Sequence, residues 1–253
     1  MSGEAVDIQP AATVMLLREP PDSAAAANSA AAAGGLEVLM VKRSRKLVFG
    51  PGIWVFPGGR LEAEDRSAHS DDVETAARIA AARETVEEAG VEVDIASMRL
   101  FAHWTTPPGP PRRYATWFFC ARIDNEQRVR IDNDEIREHW WAHPRTVLER
   151  HAAGEVEMYE PTWMSLKLID ECADVASALA ALEAQPVERF CGRMIEIPEG
   201  ICHLYEGDAA YESGDLEAPG ARRRLWARGS DWQFEDTATQ STSHRNQQRH
   251  NHD

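Results

Sequence analysis

Residues 57–91, PGGRLEAEDRSAHSDDVETAARIAAARETVEEAGV, join a Gly-rich turn to a segment with the composition and ends of a helix. On a helix of 3.6 residues per turn, Glu84, Glu87 and Glu88 project from one side, because neighbours three and four apart stack across a turn. Like charges so placed repel by a few tenths of a kcal/mol per pair. Divalent cations favour oxygen ligands and convert that repulsion into a binding site. Arg83 is placed to pair with Glu87 or to hold a carboxylate in orientation. Taken alone, such a string reads more readily as a salt-bridged solvent face.

The helix is expected over 71–89, with Ser70 or Asp71 as N-cap, acids in its first turn and Gly90 at the left-handed position that ends helices. Ala76, Ile79, Ala80, Arg83, Val86 and Glu87 recur at 3–4 spacing, and the small residues permit close packing on a sheet.

Before it, AATVMLLRE (11–19) and LEVLMVKRS (36–44) read as buried strands, short apolar runs rich in Val and Leu. An Ala-rich stretch, 20–35, lies between them. It is bracketed by Pro20-Pro21 and Gly34-Gly35 and has no amphipathic stripe, so it is read as a loop. GPGIWVFPGG (50–59) sets a short apolar strand between two Gly/Pro turns. After the helix, strands are expected at 98–106, 114–123 and in IREHWWAH, the first two separated by the proline-stiffened PPGPPRR that carries Arg112 and Arg113. PRTVLERHAAG reads as a short helix with Pro at N1. Residues 160–185 read as one long amphipathic helix, and VERFCGRMIEIPEGICHLYEG as a final hairpin. The domain is placed at 10–208, between an N-terminal tail (1–9) and a polar tail (209–253) with too little apolar surface to offset ordering entropy.

The bulk numbers exclude several classes. A chain of 253 residues that is 43% hydrophobic supports a substantial core. A formal net charge of −15 disfavours an extended nucleic-acid or anionic-membrane surface. Cys120, Cys172, Cys191 and Cys202 show neither a C-x-x-C pair nor zinc-like spacing, which favours a reduced, cytoplasmic chain. No run approaches 18 apolar residues and no signal-peptide pattern opens the sequence, so no membrane span is expected.

FPGGRLE followed by RETVEEAGV resembles the box of the Nudix hydrolases, G-x5-E-x7-R-E-U-x-E-E-x-G-U with U apolar, at Gly58, Gly59, Arg83, Glu84, Glu87, Glu88, Gly90 and Val91. There are two departures. Thr85 stands at an aliphatic position, and Arg83 follows Gly59 by 24 positions instead of 14, a ten-residue insertion assigned to 60–70. The box's first glutamate is thereby ambiguous, with Glu64 nearest in place. The resemblance implies an α/β fold, the Nudix α/β/α sandwich around a mixed β-sheet. It also implies hydrolysis of a diphosphate linked to a moiety X, with Mg²⁺ or Mn²⁺ held by Glu84, Glu87, Glu88 and the carbonyl of Gly58. Pairing of relatives leaves a homodimer open.

A further acid is expected from a later loop, as ligand or base. Glu135 in DNDEIREHWW lies six residues before Trp141, as in the family pattern, although Asp132 and Asp134 are equally able acids by chemistry alone. Catalytic roles thus fall to Glu84, Glu87, Arg83 and Glu135.

Two stretches resemble the coenzyme A and acyl-coenzyme A diphosphatase branch. LMVKRSRKLVFGPGIWVFPGG matches at Leu39, Arg43, Ser44, Gly52, Phe56, Pro57, Gly58 and Gly59, but carries Val41 for Thr and Val48 for Arg. HWTTPPGPPRRYATWFF matches a W-x-T-P…R-R-[FY]-x-T-x-F-F segment, with Ala115 where Asp is common. The resemblance implies cleavage of coenzyme A or its thioesters into 3′,5′-ADP and (acyl-)4′-phosphopantetheine, with Arg43, Arg112 and Arg113 as phosphate contacts; an arginine fork grips a phosphate in two bonds. Lys42 and Arg45 are further anion contacts or strand-end charges. Trp54 and Trp104 are stacking rings or core, and His103 a base or a structural residue. The alternatives are a hydrolase of nucleotide sugars, ADP-ribose or other nucleoside diphosphate derivatives, and a non-catalytic nucleotide-binding module.

Overall fold

The computed structural model describes residues 7–21, 35–47, 50–67, 72–109 and 112–237. Most of the Ala-rich stretch, Val48, Ser70, Asp71, part of the box insertion and the last residues of the polar tail lie outside them. Two compact units are formed, one from residues 1–104 and 114–189, the other from 105–113 and 190–253.

In the first unit β1 (Ile8–Arg18), β2 (Glu37–Arg43), β3 (Trp54–Val55), β4 (Gly58–Arg60), β5 (Arg99–Thr105), β6 (Arg113–Arg122) and β7 (Ile136–Ala142) belong to one mixed sheet. Its order runs β3-β2-β1-β6-β5, with β4 added to β1 and β7 to β2. β1 is fully buried from Ala11 to Leu17, as its continuous apolar run requires of a central strand. A short helix α1 (Ala63–Ser67) precedes α2 (Val73–Ala89), which packs on β1 and β4. α3 (Pro144–Ala152), α4 (Glu160–Ile169), α5 (Val175–Glu183) and β8 (Glu188–Cys191) follow. The core joins Ala12, Val14 and Leu16 of β1 and Leu39 and Val41 of β2 to Ala77, Ala80 and Ala81 of α2. With the small side chains of Ala77, Ala80 and Ala81 in this contact, the helix backbone approaches closely, and this closeness positions the site.

α2 begins at Val73, two residues later than expected: Asp72 is the N-cap, accepting the N–H groups of Glu74 and Thr75 at 3.2 Å. Ser70 and Asp71, the expected caps, lie outside the described residues. Gly90 ends the helix at φ 65° with its N–H on the Val86 carbonyl at 2.9 Å, as expected. The buried stripe differs from the expected one. It runs through Ala76, Ala77, Ala80, Ala81, Thr85, Glu88 and Ala89, and Val86 is exposed. Thr85 tolerates its apolar position because its hydroxyl donates back to the Ala81 carbonyl at 2.7 Å.

The expected long helix is two, α4 and α5. Asp174 caps the second, accepting from Ser177 N at 2.7 Å while the Ser177 hydroxyl returns to the Asp174 backbone.

The second unit overturns the expectation of a disordered tail from residue 209. β9 (Arg193–Ile197), β10 (Gly200–Leu204), β11 (Arg223–Arg228) and β12 (Asp231–Asp236) form a four-stranded antiparallel sheet in the order β12-β11-β10-β9, so the hairpin expected to be final is one half of a larger sheet. Cys202, Leu204 and Ala210 form its small core. Beneath the sheet Arg224 and Asp208 make a fully buried fork, Nε to Oδ2 at 2.7 Å and Nη2 to Oδ1 at 2.6 Å, and Asp208 also accepts the N–H groups of Ala210 and Arg223. These bonds hold the Asp208 carboxyl below the usual range against the opposing effect of burial.

Candidate active site

The Gly-rich turn before β4 is fixed from beneath by β1. Thr13 donates its hydroxyl to the Pro57 carbonyl at 2.7 Å, and Val14 donates its N–H to the same carbonyl at 3.0 Å. Gly58 pairs with Thr13 so closely that a Cβ there would lie 2.3 Å from the Ala12 carbonyl oxygen. A Cβ on Gly59 would lie 2.3 Å from Glu84 Oε1. The glycines are therefore what let the carboxylates of α2 rest against this backbone.

The three glutamates occupy three depths. Glu88 is buried, and its Oε2 accepts the Gly58 N–H at 3.0 Å. The Glu84 side chain is 16% exposed and that of Glu87 57%. Burial pushes the Glu88 carboxyl up to about 8; the Gly58 N–H and the Arg43 charge oppose the rise, and Glu84 and Glu135 add to it. Burial also raises Glu84, with Arg83 opposing and the charges of Glu87 and Glu135 adding. A carboxylate so buried demands a compensating cation or a proton.

Arg83 is saturated with partners. Its Nη1 donates to Glu84 Oε1 at 3.0 Å and to Glu87 Oε2 at 3.1 Å, its Nη2 to the Arg60 carbonyl at 3.1 Å. Its remaining donors form a fork on Asp65, Nε to Oδ1 at 3.1 Å and Nη2 to Oδ2 at 3.0 Å. Asp65 was missed in the sequence, where Glu64 was the nearest acid; Glu64 is exposed, whereas Asp65 is buried on α1 and further held by the Glu62 N–H at 2.8 Å. The signal was available in the adjacent acids, but only the orientation of α1 decides between them.

Glu135 arrives by a bulge. The β2–β7 register shifts between Lys42 and Arg43, so that Arg43 pairs with Ile136, and the Ser44 N–H donates to the Glu135 carbonyl at 2.6 Å. Its charge acts on both Glu84 and Glu88. Asp132, an equal candidate from sequence, is committed to the turn: its carboxylate accepts the N–H groups of Asp134, Glu135 and Ile136. Asp134 is exposed.

Arg43 is likewise brought to Glu88, whose ionisation its charge favours. Arg112 and Arg113 belong to the second unit, Arg112 exposed and Arg113 donating from Nε to the Thr106 carbonyl at 3.0 Å. Lys42 is engaged with Glu138 at 2.8 Å and lies over Trp54, whose ring also meets Trp140 edge-on. Trp104 is core, tilted on Phe118, and His103 is half-buried edge-on to Trp117, its pKa lowered by burial and by the Arg189 charge.

The donor set of Glu84, Glu87, Glu88 and the Gly58 peptide is all oxygen, the chemistry that Mg²⁺ and Mn²⁺ select. Among the described residues no three His, Cys, Asp or Glu side chains form a ready-made cage. Glu84 and Glu87 each turn one oxygen onto Arg83, Oε1 and Oε2, and the second oxygen of each carboxylate is chemically able to hold such a cation while Arg83 keeps the first.

A NUDIX-domain profile matches residues 22–162. The chain belongs to the Nudix family. A Caenorhabditis elegans protein that bears the name "Putative nudix hydrolase 7" is 25% identical, the match covering 72% of each chain. An acyl-coenzyme A diphosphatase of Xenopus laevis is 23% identical over 71% of this chain and 73% of its own, and its Homo sapiens counterpart is 24% identical over 70% and 72%. The crystal structure of a Nudix hydrolase from Alicyclobacillus acidocaldarius superposes with a TM-score of 0.59 at 24% identity, covering 72% of this chain and 100% of that one, and shares the Nudix fold. With the family comes the activity class, hydrolysis of a diphosphate bond. No described helix is long and apolar enough to cross a membrane.

Proposed function

We propose that this Nudix hydrolase cleaves the diphosphate of coenzyme A or acyl-coenzyme A into 3′,5′-ADP and (acyl-)4′-phosphopantetheine. The observation that carries the metal-dependent part is the buried Glu88 carboxyl, seated on the Gly58 N–H beside Glu84. The likeness to acyl-coenzyme A diphosphatases, spread over most of both chains, supports the substrate.

Glu84, Glu87, Glu88 and the carbonyl of Gly58 would hold Mg²⁺ or Mn²⁺. When bound, such ions neutralise phosphoryl oxygens and lower the pKa of a coordinated water. Arg83, anchored by Asp65, orients Glu84 and Glu87. Glu135 is the acid poised to take the proton from the attacking water, since its charge already acts on both inner glutamates. Arg43 supplies positive charge to an anionic substrate, which the net charge of the chain would otherwise repel. Arg112 and Arg113 remain candidates for the 3′-phosphate.

The test is a substrate panel of coenzyme A, short and long acyl-coenzyme A, ADP-ribose, a nucleotide sugar and dinucleoside polyphosphates with Mg²⁺ or Mn²⁺, products resolved by mass spectrometry. Formation of 3′,5′-ADP is expected. Turnover confined to ADP-ribose or a nucleotide sugar would refute the coenzyme A reading and leave the diphosphatase.

A further inference from the structure

Among the described residues, Tyr159 is the aromatic ring that stays exposed, at 39%. It stands as N-cap of α4 and makes no side-chain cap bond. Its place is fixed by the backbone: the Trp54 N–H donates to the Glu157 carbonyl at 2.8 Å, tying the segment before Tyr159 to β3. The ring borders the turn at Gly50, where a Cβ would come within 3.4 Å of Tyr159 Cε2. Arg43 closes that turn from the other side, donating its N–H to the Ile53 carbonyl at 2.9 Å and accepting the Gly52 N–H at 3.2 Å. β3 then leads through Phe56 and Pro57 into the glycines under Glu84 and Glu88. Burial and the Glu160 charge raise the Tyr159 phenol while Arg43 opposes them, in keeping with an Arg43 side chain near the ring.

An exposed ring and a cation thus flank the Gly50 turn, and the strand that leaves this turn runs on to the glycines that seat the buried carboxylate. A nucleotide presents the matching series, with a planar base, a phosphate next to it and a reacting diphosphate. We propose that Tyr159 is the stacking platform for the nucleobase of the substrate, with Arg43 facing the phosphates beside it. This assignment rests on the diphosphatase reading above and determines which end of the substrate lies toward α4. Stacking tolerates any base, because every base has a π face.

The experiment is calorimetric titration of the full chain and of Tyr159→Ala, Tyr159→Phe and Tyr159→Trp with the two halves of coenzyme A separately, 3′,5′-ADP and 4′-phosphopantetheine, alongside turnover of coenzyme A. Affinity for 3′,5′-ADP should fall roughly five- to hundredfold in Tyr159→Ala and be kept by Phe and Trp, while affinity for 4′-phosphopantetheine stays within twofold. Unchanged 3′,5′-ADP affinity in Tyr159→Ala overturns the proposal. So does an equal loss for both halves, a loss confined to 4′-phosphopantetheine, or absence of 3′,5′-ADP binding in the parent chain. Failure of the diphosphatase reading shows separately, as absence of turnover by the parent chain while 3′,5′-ADP still binds through Tyr159.

Discussion

Glu88→Gln separates the electrostatic role of the buried carboxyl from its packing. Gln has nearly the same shape and still offers an oxygen to the Gly58 N–H, so the fold should persist. In the parent chain without metal, the Glu88 carboxyl is raised from its ordinary 4.5 to about 8. For an acid whose folded pKa lies above its unfolded one, the native state binds the extra proton between those values. Its contribution is fully present below about pH 4.5 and is lost as pH rises through 8. At 1.36 kcal/mol per unit the displacement corresponds to a loss on the order of 5 kcal/mol; relaxation around the charged form reduces this to about 2–4 kcal/mol. Urea unfolding in EDTA at intervals from pH 5 to 9 should show that decline in the parent and a flatter profile in Glu88→Gln. Mn²⁺ added at pH 8 should restore the parent and leave the variant little changed, and turnover of the variant should fall by orders of magnitude. Parallel pH profiles, or equal stabilisation of both proteins by Mn²⁺, would refute the reasoning.

Asp65→Asn removes the anchor of Arg83; stability should fall by about 1–3 kcal/mol and activity should require more Mn²⁺, and unchanged metal dependence would deny Asp65 a role in orienting the glutamates. Gly59→Ala places a methyl against Glu84 and should lower turnover at least roughly tenfold with the circular dichroism spectrum intact, since a misplaced reacting geometry is costly. In the second unit Asp208→Ala strands the buried Arg224 charge and should cost about 3–5 kcal/mol, read as lost hydrogen-exchange protection across β10 and β11; protection within 1 kcal/mol of the parent would mean that the pair is replaceable.

Local rules carried the first unit a long way. Apolar runs marked β1 and β2, Gly90 marked the end of α2, and the spacing of Arg83, Glu84, Glu87, Glu88, Gly58 and Gly59 announced the family that the profile match shows. Those features are local because one strand or one helix turn fixes them. The misplaced elements each hinged on balancing a local signal against the whole. In DWQFED the apolar alternation of Trp232 and Phe234 and the Gly229-Ser230 turn were present, but the acidic and polar composition from residue 209 onward outweighed them. The strand forms because pairing with β11 satisfies its backbone groups and Phe234 packs against the Tyr205 ring.

By itself the chain's order of residues determined that three carboxylates share a turn of helix after a glycine-rich strand. The fold alone decided their depths, because burial depends on the sheet that α2 packs against and not on spacing along it. It also decided that Asp65 and not Glu64 holds Arg83, that Asp132 is spent on a turn, and that a bulge carries Glu135 to the inner glutamates. Such choices between chemically equivalent neighbours turn on differences of one residue in orientation, which only contacts distant in sequence supply.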